Sequence, residues 1–238
     1  MAAPKRFFAQ NISGDMTLSD EETRHAKNAL RLSEGDELTL FDGSGKEYSA
    51  IVTKVGREGV SVHVVRENVS DREPQTWVFL LVGALKGDKT ELVVQKAPEL
   101  GVRRIGVFSS RYCSAYMNEN KLERRNRVAR EAAKQCLRAF VPRVEYYETL
   151  EEALQAGTEC ATRLFACEFI AESEKDVIDT GASVCAVVGS EGGFAEEEYA
   201  LAQRLGYCGV SLGKRILRAE TAAIALVSVI MHEAGELG

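Results

Sequence analysis

The stretch Val184-Cys-Ala-Val-Val-Gly-Ser-Glu-Gly-Gly-Phe194 joins a short apolar run directly to a glycine-rich loop. The run 184–189 has the composition of a strand that is buried on both faces, and Glu196-Glu-Glu198 follows as the start of a helix. Glycines allow a ligand to approach the backbone closely. A buried strand, a glycine-rich loop and a helix in this order predict one unit of a parallel α/β sheet, with a ligand site at the carboxyl end of the strand.

On both sides of this stretch, from residue 76 onward, apolar strands alternate with helices. We predict strands at 76–85, 104–108, 163–167, 184–189 and 209–212. We predict helices at 89–100, 119–140 and 220–233, with Gly101 ending the first and Pro142 ending the second. Repeated strand-helix-strand units predict an α/β fold, with a parallel sheet covered by helices on both faces.

The first part of the chain has a different pattern. A helix is predicted at 19–32, where Ser19-Asp-Glu-Glu22 has the form of a capping box and Gly35 is the expected stop. Short strands at 37–41, 47–55 and 60–65, joined by glycine-rich turns, predict a small β-barrel. The polar segment 66–75 is typical of a linker. We therefore predict two domains, at 1–72 and 73–238.

Length and composition exclude several classes of protein. The chain has 238 residues and lacks the run of about 18 apolar residues that a membrane span needs. Its first residues, Met1-Ala-Ala-Pro-Lys-Arg6, lack the apolar core of a secretory signal. Six cysteines and three histidines are scattered without metal-ligand spacing. We expect a soluble, cytoplasmic protein with no membrane partner and no metal.

Charges are separated along the chain, although the net charge is only −6. Residues 101–143 hold eleven basic and three acidic side chains, a net charge of +8, whereas residues 145–200 hold two basic and fourteen acidic ones, a net charge of −12. Near the N-terminus, Arg24, Lys27 and Arg31 have the spacing of one helix face. These cationic surfaces favour contact with RNA or DNA, although a long helix can also carry a merely solvated charged face.

A second loop, Leu212-Gly-Lys-Arg-Ile-Leu-Arg-Ala-Glu-Thr-Ala222, connects the last predicted strand to the last helix. Both loops lie at carboxyl ends of strands, where open α/β sheets bind ligands, so we expect one site built from both. Phosphate sites avoid carboxylates, whereas a ligand with a positive centre tolerates the Glu191 that lies between glycines. A purely structural alternative makes Glu220 a first-turn acid and Thr221 a cap.

Taken together, the two loops closely resemble the SPOUT superfamily of methyltransferases and, within it, the RsmE family of small-subunit ribosomal RNA methyltransferases. The family signature is similar to GPEGGF followed by LG-x-RILR-x-ETA, and this chain has Gly189-Ser-Glu-Gly-Gly-Phe194 and the loop 212–222. Ser190 replaces the usual proline and Ala219 the usual threonine, so no charged group is lost. Further similar segments, such as Gln135-Cys-Leu-Arg138, extend the resemblance over essentially the whole chain.

This resemblance implies a fold, an assembly and a cofactor. The fold is a PUA-like RNA-binding β-barrel followed by a SPOUT α/β domain with a trefoil knot, and the assembly is a homodimer. S-adenosyl-L-methionine (SAM) is the implied cofactor, and it carries a sulfonium cation and no phosphate. The residues expected to bind it are Val188, Gly189, Glu191, Gly192, Gly193, Leu212, Gly213, Ile216, Leu217, Arg218 and Thr221.

The implied reaction is methylation of N3 of uridine 1498 in 16S ribosomal RNA of the small subunit, a step of ribosome biogenesis. Arg218 is expected to stabilise charge on a uracil carbonyl oxygen, and Glu220 is the candidate base, unless it orients Arg218 or caps the helix. The residues expected to hold RNA are Arg6, Arg24, His25, Arg31, Lys86, Arg111 and Arg138. Two alternatives stay open, namely a SPOUT methyltransferase with a different RNA target and a catalytically silent RNA-binding assembly factor.

Overall fold

The computed structural model describes residues 5–170 and 183–238, and its internal contacts divide the chain into two compact units. Residues 1–73 and 133–141 form the first unit, and residues 74–132 and 142–238 form the second. The first unit therefore includes a short segment from the middle of the chain. Residues 1–4, the beginning of the N-terminal stretch quoted above, lie outside the described residues.

The first unit contains a five-stranded sheet. Its strands are β1 (Arg6–Phe8), β2 (Asp15–Thr17), β3 (Glu37–Phe41), β4 (Lys46–Gly56) and β5 (Gly59–Val69). Their order in the sheet is β1-β3-β4-β5-β2. Strands β1 and β3 are parallel, and the other neighbours are antiparallel. Alternate side chains such as Leu40, Val60 and Val62 are fully buried on one face, as the period-two pattern predicts. The two three-residue strands were not predicted, because three residues show no alternation.

The predicted helix at 19–32 is shorter than expected. An α-helix, α1 (Asp20–Arg24), continues as one π-helical turn, His25–Ala29, and Arg31 then adopts a positive φ of 49°. Arg31 is therefore not on the helix face predicted for it. The Ser19 hydroxyl accepts a hydrogen bond from the Glu22 N–H at 3.3 Å, but the Glu22 carboxylate binds Lys134 instead of completing the capping box.

The second unit contains a six-stranded sheet. Its strands are β6 (Trp77–Gly83), β7 (Arg104–Phe108), β8 (Arg143–Tyr147), β9 (Thr162–Ala166), β10 (Ser183–Val188) and β11 (Cys208–Val210). Their order is β11-β9-β10-β6-β7-β8, and every neighbouring pair is parallel. This arrangement confirms the predicted parallel α/β sheet. The chain adds strands on one side of β6 first and on the other side later, so a topological switch point lies between β6 and β10.

Helices cover both faces of this sheet. The helices are α2 (Lys89–Glu99), α3 (Glu119–Gln135), α4 (Leu150–Gly157), α5 (Glu196–Arg204) and α6 (Ala219–Glu233). Leu80 of β6 packs in one apolar cluster with residues of α2, α3 and α6, whereas Phe79 and Leu81 pack in a second cluster with residues of α4 and α5. A strand buried in this way on both faces explains the nearly continuous apolar run in its sequence.

Two features of the second half differ from the prediction or were missed. Helix α3 ends at Gln135 rather than at 140, because Leu137 adopts a positive φ of 67° and the Arg138 N–H donates to the Ala133 carbonyl at 2.9 Å. This is the closing pattern of a helix, here with leucine where glycine is common. Strand β8 and helix α4 were not predicted, although Thr149 and Glu152 form a complete capping box at the start of α4.

Within residues 5–170 and 183–238, no helix combines the length and the apolar character that a membrane crossing requires. The same residues contain no group of three or more side chains arranged to hold a metal ion. The trefoil knot implied by the resemblance stays a prediction.

Candidate cofactor site and RNA-binding surface

A cavity of about 610 Å³ lies at the carboxyl ends of three adjacent strands in the second unit. Its walls are the last residues of β9, β10 and β11 and the loops that follow them, namely 166–168, 188–191, 193–194 and 210–219, together with Lys89 and Ala222. The two loops predicted to share one site do so. The third loop, after β9, was missed because nothing in its sequence distinguishes it, although its strand lies between the other two.

The glycine-rich loop after β10 owes its position to close backbone packing. A Cβ atom at Gly83 would lie 2.5 Å from the Ser190 backbone nitrogen, so only glycine at the end of β6 allows the loop to approach. Gly193 has a positive φ of 65°, and its own Cβ would lie 2.2 Å from Glu168 Oε1. The Gly193 N–H donates to the Ser190 carbonyl at 3.0 Å and closes a tight turn. The loop therefore exposes backbone to the cavity.

Glu191, the acid that suggested a cationic ligand, is already paired. Its Oε1 accepts hydrogen bonds from Lys89 Nζ at 2.9 Å and from the Lys86 N–H at 3.1 Å. Partial burial raises the pKa of Glu191, but the hydrogen bonds from Lys89 and from backbone N–H groups outweigh this effect, so the pKa lies below its ordinary value. Lys89 also lines the cavity, so the negative charge of Glu191 is balanced by a cation in the same wall.

A second carboxylate in the cavity wall belongs to Glu168, which was not predicted. It lies over Gly193, where the missing side chain leaves room for its oxygen. Glu168 therefore adds a second acidic side chain to the cavity wall, besides Glu191. No sequence motif marks this glutamate. Only the strand order brings it beside the loop 189–194.

The loop after β11 leads into α6. Gly213 has a positive φ of 98°, Ile216 is 90% exposed, and Arg218 lies in the cavity wall at the cap of the helix. Glu220, two residues further on, is only 8% exposed and is not among the cavity-lining residues. Its Oε2 has no hydrogen-bond partner within the described part of the chain. Burial in the first turn of α6 therefore sets Glu220 behind the cavity wall.

The predicted cofactor residues meet in this one cavity with two exceptions. Gly192 packs against Tyr112 instead of lining the cavity, and Thr221 is exposed on the first turn of α6. The following side chains also line the cavity and were not predicted: Lys89, Ala166, Cys167, Glu168, Ser190, Phe194, Val210, Ser211, Lys214, Arg215, Ala219 and Ala222.

Two of the residues expected to hold RNA are interior residues of the first unit. Arg6 is 5% exposed, and it forms an ion pair with Glu47 at 2.8 Å and donates to the Arg138 carbonyl at 2.7 Å. Arg138 is 3% exposed and forms an ion pair with Glu73 at 2.8 Å. Their burial corrects the expectation that these guanidinium groups face RNA, because a phosphate cannot reach them.

The other residues expected to hold RNA lie nearer the surface. His25 is partly buried, with its Nδ1 3.4 Å from Lys134 Nζ and its ring edge against Phe7. Arg24, Arg31 and Lys86 are exposed. Arg111 is exposed too, but it forms an ion pair with Glu197 at 3.1 Å.

Fewer of the basic side chains in residues 101–143 are available to bind RNA than the net charge of +8 suggests. Acidic partners from elsewhere in the chain neutralise much of it, and the ion pairs are Arg104–Glu145, Arg111–Glu197, Arg124–Glu91, Arg125–Glu91, Lys134–Glu22, Arg138–Glu73 and Arg143–Glu145.

A parallel α/β sheet with a cavity at the carboxyl ends of its strands, in a chain that also contains a mainly antiparallel sheet, defines a two-part ligand-binding protein. Comparison with known proteins is more specific. Residues 71–231 match the family model of the RNA methyltransferase domain, and residues 18–65 match that of the RNA methyltransferase PUA domain. The chain belongs to the RsmE family of RNA methyltransferases.

Three relatives illustrate how far the similarity extends. The ribosomal RNA small subunit methyltransferase E of Bacillus subtilis is 31% identical over 234 residues, which cover 91% of this chain and 90% of the relative. The protein of the same name from Rickettsia conorii is 30% identical, with coverage of 89% and 87%. The crystal structure of the Neisseria gonorrhoeae ribosomal RNA small subunit methyltransferase E, bound to S-adenosyl methionine, is 30% identical, has a TM-score of 0.87, and is matched over 96% of this chain and 97% of that one.

Proposed function

We propose that this protein transfers a methyl group from SAM to N3 of uridine 1498 in 16S ribosomal RNA. The observation that carries the proposal is the cavity itself, in which the two signature loops of the family meet. The solved relative from Neisseria gonorrhoeae, whose structure contains S-adenosyl methionine, supports the choice of cofactor. The names of the curated relatives support small-subunit ribosomal RNA as the substrate.

The residues of the cavity fit SAM. Its volume of about 610 Å³ suits a small molecule, and its glycine-rich loop offers backbone N–H and carbonyl groups for the adenosine moiety. The Glu168 carboxylate over Gly193 offers acceptor oxygens for hydroxyl or ammonium groups. When bound, SAM supplies an electrophilic methyl group on a positively charged sulfur. We assign its binding to the predicted residues that line the cavity and to Glu168.

Catalysis by the protein's own residues then requires alignment and charge stabilisation. The nucleophile is N3 of uracil, which must give up its proton to water as its bond to the methyl group forms and the bond from that methyl group to sulfur breaks. Arg218 lies in the cavity wall, so its guanidinium group can stabilise the negative charge that develops on a uracil carbonyl oxygen. Glu220 lies behind this wall, so we assign it a positioning role at the start of α6 rather than the role of the base.

The RNA-binding surface, the assembly and the location belong to the same proposal. We assign RNA contacts to the exposed members of the predicted set, Arg24, Arg31, Lys86 and Arg111.

A homodimer is supported by the large apolar side chains that α2 and α6 expose, Leu92 and Val229. Light scattering of the purified protein will give its mass in solution. The bacterial cytoplasm is the compartment in which ribosomal RNA is available.

Mass-spectrometric mapping of 16S ribosomal RNA tests the reaction directly. In a strain that lacks the gene, we expect the N3-methyl mark on uridine 1498 to disappear and to return when the gene is restored. A mark that persists in the deletion strain contradicts the proposal. A mark that is lost at another nucleotide supports the alternative of a methyltransferase with a different RNA target.

A thermal-shift experiment distinguishes the enzyme from a silent assembly factor. Saturating SAM at about 100 times its dissociation constant stabilises a binding protein by about 2.7 kcal/mol. We expect a shift of the melting temperature of several degrees with SAM. An unchanged melting temperature supports the silent factor.

Replacement of Gly83 by alanine is expected to weaken SAM binding without a direct contact to the cofactor. The new Cβ would lie 2.5 Å from the Ser190 backbone nitrogen, so the glycine-rich loop must shift. Overpacking of this kind costs about 1–3 kcal/mol of stability, and we expect the SAM-induced thermal shift to become smaller as well. The control is Gly56→Ala, whose Cβ would meet only the end of the Lys54 side chain at 3.6 Å. Equal SAM shifts in both variants would show that the loop tolerates the change.

A further inference from the structure

Two tyrosines expose their rings in the loop between β7 and α3, although neither belongs to the site residues predicted from the sequence. Tyr112 is 49% exposed and Tyr116 is 73% exposed. Burial of a tyrosine ring removes a large apolar surface from water, so rings left in solvent on a well-packed domain are typical of a binding surface. We refer to residues 109–118 as the tyrosine loop.

The tyrosine loop adjoins the cofactor cavity. A Cβ atom at Gly192 would lie 2.5 Å from the Tyr112 Cβ and 2.9 Å from its carbonyl oxygen, so the two backbones are in direct contact. Gly192 lies in the middle of the glycine-rich loop, between Glu191 and Gly193 of the cavity wall. Tyr112 therefore lies directly beside the glycine-rich loop, whose neighbouring residues line the cavity.

The loop is held in place by hydrogen bonds within it and to side chains of α5 and α3. The Arg111 N–H donates to Glu198 Oε1 at 2.9 Å, and the Cys113 N–H donates to the Ser110 carbonyl at 3.0 Å. At the other end, Lys121 Nζ donates to the Tyr116 carbonyl at 2.9 Å. The backbone is thus anchored on both sides, so little ordering of the loop is needed when a ligand binds.

The charges beside the two rings select the kind of partner. The Arg111 guanidinium lies 5.8 Å from the centre of the Tyr112 ring and also forms an ion pair with Glu197 at 3.1 Å. The Lys121 ammonium group is held at the Tyr116 carbonyl. Lys121 belongs to α3, and Arg127 of the same helix is also exposed. Exposed aromatic rings interleaved with cations match single-stranded RNA, in which unpaired bases stack on rings while phosphates meet the cations.

We propose that Tyr112 and Tyr116 stack on unpaired bases that flank the target uridine and so hold the RNA strand at the mouth of the cavity. This inference rests on the proposed function, since it assumes that the reactive base enters the same cavity. It adds a contact surface based on base stacking to the arginine and lysine contacts already assigned. Stacking of this kind does not depend on base identity, so the tyrosines contribute affinity and positioning rather than sequence selection.

The test compares four substitutions at Tyr116, the more exposed ring, with the matching set at Tyr112. The probe is a 16S ribosomal RNA fragment spanning uridine 1498, with 2-aminopurine at a neighbouring position. Loss of one stacked base reduces affinity by about 5- to 150-fold, so we expect Tyr116→Ala to raise the dissociation constant at least fivefold and to reduce the quenching of 2-aminopurine. Tyr116→Phe and Tyr116→Trp keep a ring and should bind like the native protein, whereas Tyr116→Leu keeps only apolar area and should bind like the alanine variant.

Several outcomes overturn the proposal. Alanine variants at both positions that bind the fragment within twofold of the native protein exclude stacking, and so does a leucine variant that matches phenylalanine. Variants that bind the fragment normally but no longer bind the assembled small subunit show that the loop contacts a ribosomal protein instead. The SAM-induced thermal shift of each variant reports that the cavity is intact, and methylation by the native protein is measured separately. A native protein that methylates the fragment while the alanine variants bind it unchanged therefore leaves the proposed function standing and removes only this inference.

Discussion

Replacement of Arg218 by alanine is expected to lower the rate of methyl transfer to 16S ribosomal RNA by about 10²- to 10³-fold, which is the usual effect of removing one group that stabilises developing charge. Arg218 lies in the cavity wall at the start of α6, and eight other predicted cofactor residues line the same cavity. We therefore expect the affinity for SAM to change little. Single-turnover transfer of a radiolabelled methyl group measures the first effect, and calorimetry with SAM measures the second.

Arg204→Ala provides the control for Arg218→Ala. Arg204 is an exposed arginine in the last turn of α5 and does not line the cavity, so its replacement removes the same charge from the same unit without touching the site. We expect this variant to transfer methyl groups at the native rate. If Arg218→Ala loses SAM affinity as strongly as it loses rate, Arg218 holds the cofactor and the proposed role in charge stabilisation is wrong.

Replacement of Lys134 by methionine is expected to lower the free energy of unfolding by about 3–5 kcal/mol, because it leaves a buried carboxylate without its cation. Lys134 Nζ lies 2.8 and 2.6 Å from the two carboxylate oxygens of Glu22, and both side chains are buried. The Phe8 N–H, which also donates to Glu22 at 3.1 Å, cannot replace a full positive charge. Urea denaturation followed by circular dichroism measures the change.

Two further variants show whether the loss of stability comes from the unpaired carboxylate. The double variant Glu22→Leu/Lys134→Met removes both charges and should recover most of the lost stability, since an apolar pair of similar size often replaces a buried ion pair at little cost. Lys96→Met breaks the exposed pair with Glu99 at 2.9 Å and should change stability by less than about 1 kcal/mol. A Lys134→Met variant as stable as Lys96→Met would mean that water reaches Glu22.

Although β8 and α4 were missed, most of the fold of the second unit could be predicted, because most of its strands are short apolar runs that need burial on both faces. The run 76–85 and the strand Arg104–Phe108 are examples, and the parallel sheet follows from the helices between such runs. Helix ends were less predictable. They depend on single residues in unusual backbone conformations, such as Leu137 and Arg31, whose side chains give no sign of a positive φ.

The candidate site could be predicted where glycine and charge occur together in sequence, as in the loops 189–194 and 212–218. Glu168 could not be found in this way, because it meets Gly193 only through the neighbouring positions of β9 and β10. Charge patterns were misleading for the same reason. Arg138 counted as a cation available to RNA, but Glu73, which is distant in sequence, forms an ion pair with it in the interior of the first unit.

The exposed Ile216 has a consequence for the heat of ligand binding. Its side chain lines the cavity and is 90% in contact with water, so any ligand that fills the cavity releases the ordered water around it. Release of apolar hydration lowers the heat capacity of the complex relative to its parts. The enthalpy of ligand binding should therefore become more negative as temperature rises, and its temperature slope should be shallower when Ile216 is shortened to alanine.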